Sequence, residues 1–393
     1  CVFNRRGEGF PKKSQRPRPV MTSQHPIFTF IKTSIAALGF PLIFIYWIGA
    51  FSGWMDPHIF TGITFLAIGF PLLFLASFLW CCIIVLLFRK KSWMVFLLLL
   101  PGSFNLFNTY SIRFSQTFNT TKDPQSIRVL TWNVNEFLFS KPEVDSWKYD
   151  QGEMLQFIKE VNPDILCFQD YIVSPGWAER DIPGFIRDSL GFPYQFFSMD
   201  DLDYGTIIFS KFPIKNSGRM VYNQASHPES IAYADIEIDN KTVRLFNTHF
   251  RSMFLHHNTL SSAVLGNLKY VKEDTNFLFK TNRFERLEYY DRVHTDQAKQ
   301  VLDAFDDTQI PFIFCADLNA VPSSYVYQLL RQNTLDTYLE KGAGLRGTYK
   351  KGSFLARIDL ILTSTDFKTV QYYSPKLNLS DHYPVIADLQ LAN

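Results

Sequence analysis

The sequence predicts a layered α/β domain preceded by an α-helical membrane module, and two observations lead to this expectation. Residues 27–110 contain long apolar runs, whereas the chain after residue 126 alternates short β-rich runs with amphipathic helical segments. Of the 393 residues, 47% are hydrophobic and 39 are phenylalanine, an excess concentrated near the N-terminus. The roughly 265 residues after the linker are enough for one substantial core.

Four segments follow from these changes in composition. We expect a basic N-terminal tail at 1–26, a membrane module at 27–110, a polar linker at 111–126 and a catalytic domain at 127–393. Lys and Arg total 39 against 37 Asp and Glu, so the formal charge of +2 neither favours nor excludes nucleic acid as a partner. The five cysteines show no metal-ligand or disulfide spacing and are interpreted as small buried hydrophobes.

Three apolar runs make up the predicted module. The first, 27–51, is long enough to cross a bilayer, and its single charge, Lys32, lies near one end. The second, 59–88, is uncharged and repeats the first, since ALGFPLIFIYW becomes AIGFPLLFLASFLW, which predicts a helical hairpin with tolerated prolines. The third, 92–107, is short for a span; we expect it to cross, with an interfacial position as the alternative.

Basic residues predict the orientation of the module. They cluster before the first run and after the second, at Arg5, Arg6, Lys12, Lys13, Arg16, Arg18, Arg89, Lys90 and Lys91. Both clusters should face the cytoplasm, and a third crossing then places everything after about residue 110 outside. We therefore expect an integral protein of a bacterial inner membrane, with the lipid bilayer as partner and the catalytic domain in the periplasm or outside.

The catalytic domain should contain eight strands and at least two helices. The strands are predicted at IRVLTWNV, DILCFQ, GTIIFS, IAYADIEI, VRLFNTHF, FIFCADL, RIDLILT and YPVIADLQL. The segments GEMLQFIKEV and RVHTDQAKQVLDAF carry apolar residues at helical spacing.

Polar residues lie at the downstream ends of several of these strands, where loops can gather them around one pocket. They are Asn133, Asn135, Asp170, His249, Asp317, Asn319, Asp359, Asp381 and His382. Each residue alone is typical of a cap or a turn, but their recurrence at strand ends indicates a site.

Six motifs, WNVN, CFQD, NTH, ADLN, RID and SDH, resemble in this order the endonuclease/exonuclease/phosphatase superfamily. The resemblance covers about residues 127–393, and GTY at 347–349 matches a turn before the RID strand. It implies an α/β four-layer sandwich, in which two packed mixed β-sheets are flanked by helices. It also implies a metal-dependent phosphoric ester hydrolase similar to deoxyribonucleases and sphingomyelinases.

The resemblance implies a hard divalent cation, Mg²⁺ or alternatively Mn²⁺, held by Asp170, Asp381 and Asn133. Asn133 and Asn135 would order metal-bound waters and the phosphate. Asp170 departs from the family, which usually has glutamate there. Because aspartate is one methylene shorter, the backbone advances, a water bridges the gap, or the metal is lost.

The remaining matched residues would carry out the chemistry. His382 would take a proton from the attacking water or stabilise the phosphate, and Asp359 would orient its imidazole. Asp317 and Asn319 would align the water and the phosphoryl oxygen. His249 would donate to the leaving oxygen or bind a phosphate oxygen.

The segment 251–291 is the least family-like part of the domain and should select the substrate. Its basic and aromatic residues, Arg251 among them, predict phosphate binding and base stacking, although an ordinary solvated helix pair explains them equally well. We expect a phosphodiesterase that acts on nucleic acid outside the cytoplasm. The alternatives are a lipid or inositol phosphate phosphoesterase and a non-catalytic binding domain that retains the fold.

Overall fold

The computed structural model describes residues 26–88, 90–115, 117–137, 147–173, 181–200, 204–223, 229–253 and 282–392. A helical module at the N-terminus is followed by two six-stranded β-sheets. Most of the substrate-selecting segment predicted at 251–291, namely 254–281, lies outside the described residues, as does the basic tail through residue 25.

Each sheet is mixed and contains one parallel pair of strands. In spatial order the first sheet comprises β11 (Phe367–Tyr373), β12 (Val385–Leu391), β1 (Ile127–Asn133), β2 (Ile165–Ile172), β4 (Tyr204–Ser210) and β3 (Tyr194–Phe197). The second comprises β5 (Ile214–Val221), β6 (Ser230–Ile238), β7 (Lys241–His249), β8 (Phe312–Asp317), β10 (Asp359–Thr363) and β9 (Leu335–Asp336). The parallel pairs are β1 with β2 and β7 with β8.

Helices cover the outer faces of both sheets. They are α4 (Trp147–Val161), α5 (Ile182–Ser189), α6 (Arg283–Asp306) and α7 (Tyr325–Arg331), whereas the short α8 (Thr337–Lys341) packs against the core between the sheets. One core lies between the sheets, a second joins the first sheet to α4 and α5, and a third joins the second sheet to α6 and α7. The predicted four-layer sandwich is therefore confirmed.

All eight predicted strands are present. The four strands that were not predicted, β3, β5, β9 and β11, are the outermost strands of the two sheets. Edge strands bury less of their surface, and β5 is mostly exposed or half-buried, so the apolar pattern that marks an inner strand is weak there.

The module begins with α1 (Pro26–Ala50) and α2 (Ile63–Phe88), which pack against each other as an antiparallel hairpin. By length and composition both helices are able to cross a membrane. The Tyr46 ring lies on the Phe70 ring at 5.9 Å, and the Lys32 ammonium lies 5.9 Å from the centre of the Phe88 ring. Pro41 and Pro71 lie inside the helices, as the repeat predicted.

The third apolar run forms a 3-10 helix, Lys90–Leu99, and then α3 (Leu100–Thr109). It runs back along the hairpin, because Tyr46 Oη donates to the Leu99 carbonyl at 2.7 Å and Asn105 Nδ2 donates to the Gly49 carbonyl at 3.2 Å. The run thus returns the chain to the level at which α1 ends. That it crosses a membrane remains a prediction.

The sandwich contacts the module at a backbone carbonyl that a proline leaves without its helical partner. Pro71 has no N–H, so the Ala67 carbonyl lacks its usual partner within α2. Ser323 Oγ, from the loop after β8, donates to this carbonyl at 2.6 Å, and Ser52 Oγ donates to the Ser323 carbonyl at 2.8 Å. Both serines are buried, so the module and the loop share a close interface.

A second contact joins the module to α6. Three polar pairs form it: Thr64 with Asp291 at 2.5 Å, His58 with Asp296 at 3.0 Å and Lys299 with Asp56 at 3.2 Å. Burial raises the pKa of Asp291 to about 6, although the Thr64 hydroxyl opposes this shift. The loop between α1 and α2 therefore lies against the catalytic domain at two places.

Candidate active site

The predicted site residues meet at one edge of the sandwich. Asn133, His249 and Asp317 end their strands, and Asp359 begins β10, directly opposite Asp317 in the antiparallel register. Because the two strands of each parallel pair end on the same side, the carboxyl ends of β1, β2, β7 and β8 bring these side chains together.

Asp317 is the centre of the site. Its Oδ2 accepts from Asn133 Nδ2 at 2.9 Å, and its Oδ1 accepts from the backbone N–H of Asn319 at 3.0 Å. The same Oδ2 lies 3.6 Å from His249 Nε2 and 3.6 Å from His382 Nδ1. One fully buried carboxylate thus faces both histidines.

His382 and Asp359 form a carboxylate–imidazole pair. Asp359 Oδ2 lies 2.9 Å from His382 Nδ1, and Thr348 Oγ1, in the predicted GTY turn, accepts from the Asp359 N–H at 3.0 Å. Burial opposes the charged imidazole, but the carboxylates of Asp359 and Asp317 outweigh it and raise the pKa of His382 to about 10. Since Asp359 holds Nδ1, Nε2 is the ring nitrogen left to face a substrate.

His249 and Asp170 form the second pair, with Nδ1 and Oδ1 3.1 Å apart. Burial opposes the charged imidazole, yet the surrounding carboxylates, Asp170 first, raise the pKa of His249 to about 10. Asn319 Nδ2 lies 3.1 Å from His249 Nε2, an arrangement that suits a neutral ring donating from Nδ1. A proton on Nε2, which the raised pKa favours, would instead face Asp317 Oδ2, 3.6 Å away.

Asp170 lies at a β-bulge, where the pairing of β2 with β4 shifts register between Phe168 and Tyr171. Its φ of +46° is left-handed, a conformation that aspartate tolerates better than most residues. Asn133 Nδ2 donates to Oδ2 at 3.0 Å, and the Tyr204 hydroxyl donates to Oδ1. Burial would raise the pKa of Asp170, but the charge of His249 and these donors hold it well below its ordinary value.

Sequence reasoning missed Tyr204 and Glu229. Glu229 precedes β6 and lies 3.6 Å from the Arg251 guanidinium, and burial raises its pKa above the ordinary value. Tyr204 begins β4 and reaches Asp170. The site residues predicted from the sequence lie mainly at the downstream ends of strands, whereas the start of an antiparallel neighbour lies at the same edge. That rule would have found both residues.

Arg251 is held in place by α6. His294 Nε2 contacts its carbonyl oxygen at 2.6 Å, and Gln297 Oε1 accepts from its N–H at 3.2 Å. His294 is completely buried, and burial lowers its pKa to about 4, so it is neutral at pH 7. The helix that touches the module therefore also positions a residue beside His249.

Asn135 and Asp381 lie at the rim of the site. Asn135 has a φ of +46° and donates its N–H to Asn133 Oδ1 at 2.9 Å. Asp381 is half-buried, and its backbone carbonyl accepts from the Lys350 N–H at 2.9 Å. Asn319, at φ +48°, also donates to the Phe250 carbonyl at 2.8 Å.

The donor chemistry of the site fits a hard divalent cation. Carboxylate and amide oxygens from four strands and loops converge here, and buried carboxylates repel one another unless a positive charge offsets them. Among the described residues, Asp317, Asp359 and His382 offer ligand atoms that all lie within 4.8 Å of one another. Because Asp359 already engages His382, these three also suit proton handling, and the choice of ligands remains a prediction.

The chain is similar to one protein family and to several solved structures. The model of a family described as "Endonuclease/Exonuclease/phosphatase family" matches residues 130–382. Similar solved structures include a humanized D. rerio TDP2 (15% identity, TM-score 0.49, 68% of this chain and 99% of that one). Another is an endonuclease/exonuclease/phosphatase from Beutenbergia cavernae (16% identity, TM-score 0.49, 68% of this chain and 72% of that one). A third is the human Nocturnin catalytic domain (18% identity, TM-score 0.49, 68% of this chain and 94% of that one). No curated protein matches the chain.

Proposed function

Since the chain belongs to the endonuclease/exonuclease/phosphatase family, we propose that it is a membrane-anchored, metal-dependent phosphodiester hydrolase that works outside the cytoplasm. The observation that carries the proposal is the pair of carboxylate–imidazole contacts around Asp317. His382 with Asp359 and His249 with Asp170 provide two separate proton-handling groups in one pocket.

Hydrolysis of a phosphodiester requires charge compensation and two proton movements. The oxygen of water bonds to phosphorus, the bond from phosphorus to one ester oxygen breaks, and that oxygen takes up a proton. A Mg²⁺ ion, or alternatively Mn²⁺, held by Asp170, Asp381 and Asn133 would supply positive charge to the phosphate.

His382 lies on one side of Asp317 and acts through Nε2. Asp359 fixes the ring and stabilises its charged form, so the imidazole either accepts the proton of water or holds a phosphoryl oxygen. The raised pKa of His382 supports the second role in the cation-free protein. Asp317 and Asn319 align the water.

His249 lies on the other side and is placed to protonate the leaving oxygen. Asp170 orients its Nδ1, and Nε2 points toward Asp317 and Asn319. Arg251 and Asn135 bind the phosphate from the rim of the pocket in this proposal, and Glu229 keeps the Arg251 guanidinium in position.

Membrane anchoring and sidedness are supported by the path of the chain. The catalytic domain contacts the loop between α1 and α2, so it lies at the end of the hairpin opposite to Pro26, where α1 begins, and to Phe88, where α2 ends. In the sequence the two basic clusters precede Pro26 and follow Phe88. We predict that a C-terminal reporter active only outside the cytoplasm will be active. Activity of a cytoplasmic reporter instead would mean that the third run does not cross, and a reporter fused after residue 56 provides the matched control.

The function is tested on the purified full chain in detergent, with Mg²⁺ or with a chelator. Plasmid DNA, sphingomyelin and inositol phosphates serve as substrates, beside a soluble aryl phosphodiester. We expect Mg²⁺-dependent cleavage of the aryl diester and of at least one natural diester. Release of phosphate from monoesters alone would favour the inositol phosphate alternative, and a lack of turnover throughout would favour a binding domain.

A further inference from the structure

The segments that carry the site residues are the segments that touch the module. Ser323, which is hydrogen-bonded to Ala67 and to Ser52, follows Asn319 in the same loop. Arg357, two residues before Asp359, donates to the Asn108 carbonyl at the end of α3, at 3.4 Å. The active-site end of the sandwich is therefore the end attached to the membrane module.

The distance from the module to the site is short. Ser323 is four positions after Asn319, at most about 14 Å of extended chain, and Asp359 is two positions after Arg357, at most about 7 Å. Ala67 lies one turn inside α2, which begins at Ile63. The site thus lies close to the level at which the hairpin leaves the apolar layer, and the lipid headgroups occupy about 5–8 Å beyond that layer.

Exposed apolar side chains of the catalytic domain lie at this same level. Phe284 is 66% exposed, and its ring lies 5.3 Å from that of Phe65 in the first turn of α2. Ile112 and Phe114 directly follow α3 and are exposed, as is Leu345, next to the Gly344 that pairs with Ser111. These four residues, Phe284, Ile112, Phe114 and Leu345, form what we call the membrane-facing rim.

An exposed apolar rim continuous with two membrane-type helices is suited to the headgroup boundary of a bilayer. Trp54, in the loop between α1 and α2, is also exposed, as expected for a boundary residue.

We infer that the substrate is a phosphodiester of a membrane lipid, presented to the site by the bilayer in which the protein is anchored. The inference rests on the proposed function and specifies its substrate class. Water adds to phosphorus and the bond to one ester oxygen breaks, so the products are an alcohol, which carries one proton of the water, and a phosphomonoester.

The test uses the full chain reconstituted with Mg²⁺ in vesicles of phosphatidylethanolamine and phosphatidylglycerol. Three rates are measured: hydrolysis of the vesicle phospholipid, of linear DNA and of a soluble aryl phosphodiester. The variants are the double substitution Phe114→Ser with Phe284→Ser and a control, Tyr194→Ser, an exposed aromatic paired with Ser210 at the far end of the first sheet.

We expect hydrolysis of phospholipid in preference to DNA. Loss of two apolar contacts should lower the phospholipid rate of the double variant about tenfold, with an unchanged aryl diester rate and no effect of Tyr194→Ser. Aryl diester turnover without phospholipid turnover, or with faster turnover of DNA, overturns the inference and leaves the proposed function standing. Equal phospholipid rates in all variants also overturn the inference, because the membrane-facing rim would then have no part in phospholipid hydrolysis. Failure to hydrolyse any of the three substrates overturns the proposed function and the inference together.

Discussion

Replacing Asp317 with asparagine is expected to lower turnover at least about a hundredfold, because the charge of this carboxylate acts on both histidines. The amide keeps the size of the side chain and can still accept from Asn133 Nδ2 or the Asn319 N–H. What it loses is the negative charge 3.6 Å from His249 and His382. His382→Ala should have an effect of the same size, measured as kcat on the soluble aryl diester.

The matched control is Asp235→Asn, which removes a carboxylate paired with Arg244 on β6 and β7, in a contact with no part in the site. Its turnover should stay near that of the unmodified protein, even though some stability is lost. Near-normal turnover in either Asp317→Asn or His382→Ala would falsify the proposed roles. Thermal unfolding of all variants separates a lost reaction from a lost fold.

Replacing Asp170 with asparagine should weaken Mg²⁺ binding at least about tenfold, because a hard cation prefers charged oxygen ligands. It should also destabilise the cation-free protein on the order of 1–3 kcal/mol, since the carboxylate accepts from Tyr204 and His249. The Asp170 pKa is depressed, so this stabilising effect is present at neutral pH and is lost as the pH falls through the folded-state pKa. Calorimetry with Mg²⁺ measures the first effect, and unfolding of the cation-free protein at pH 7 and at about pH 3, below the ordinary aspartate pKa, measures the second.

Two companion variants sharpen this result. Tyr204→Phe removes one donor to Asp170 and leaves its charge, so we expect a smaller change in Mg²⁺ affinity than for Asp170→Asn. Asp170→Glu restores the residue usual in the family, but the longer side chain must fit a left-handed backbone and three donors already in place, so activity should fall. If Asp170→Asn leaves Mg²⁺ affinity unchanged, Asp170 is not a ligand.

Much of the fold could be predicted because inner strands and long apolar helices have strong sequence patterns. The continuously buried β1 and β8 read as apolar runs bounded by polar turns, and the repeated GFPL segments marked the two proline-containing helices. The edge strands β5 and β9 could not be found in this way, because exposure or shortness removes the pattern. Their positions follow from pairing with strands distant in sequence.

The site was predictable where a motif ends a strand, as at Asn133, His249 and Asp317. Residues that reach the site from other strands carry no such motif and were not predicted. Tyr204 begins β4 and Glu229 precedes β6, and it is the antiparallel pairing of these strands that brings them to Asp170 and Arg251. The bulge at Asp170 also depends on how β2 pairs with β4, which the sequence of β2 alone does not specify. The contact of Ser323 with Ala67 required both the missing N–H of Pro71 and a tertiary arrangement.

The bond from Ser52 to Ser323 joins residues 271 positions apart and has a consequence for biogenesis. The module is synthesised first, so α2 forms with the Ala67 carbonyl still lacking a donor. The loop after β8 can supply that donor only once the second sheet has assembled, and contacts between residues so distant in sequence are the slow ones to form. We therefore expect the active-site loop to become ordered last during maturation, so that an incomplete chain would have no working site.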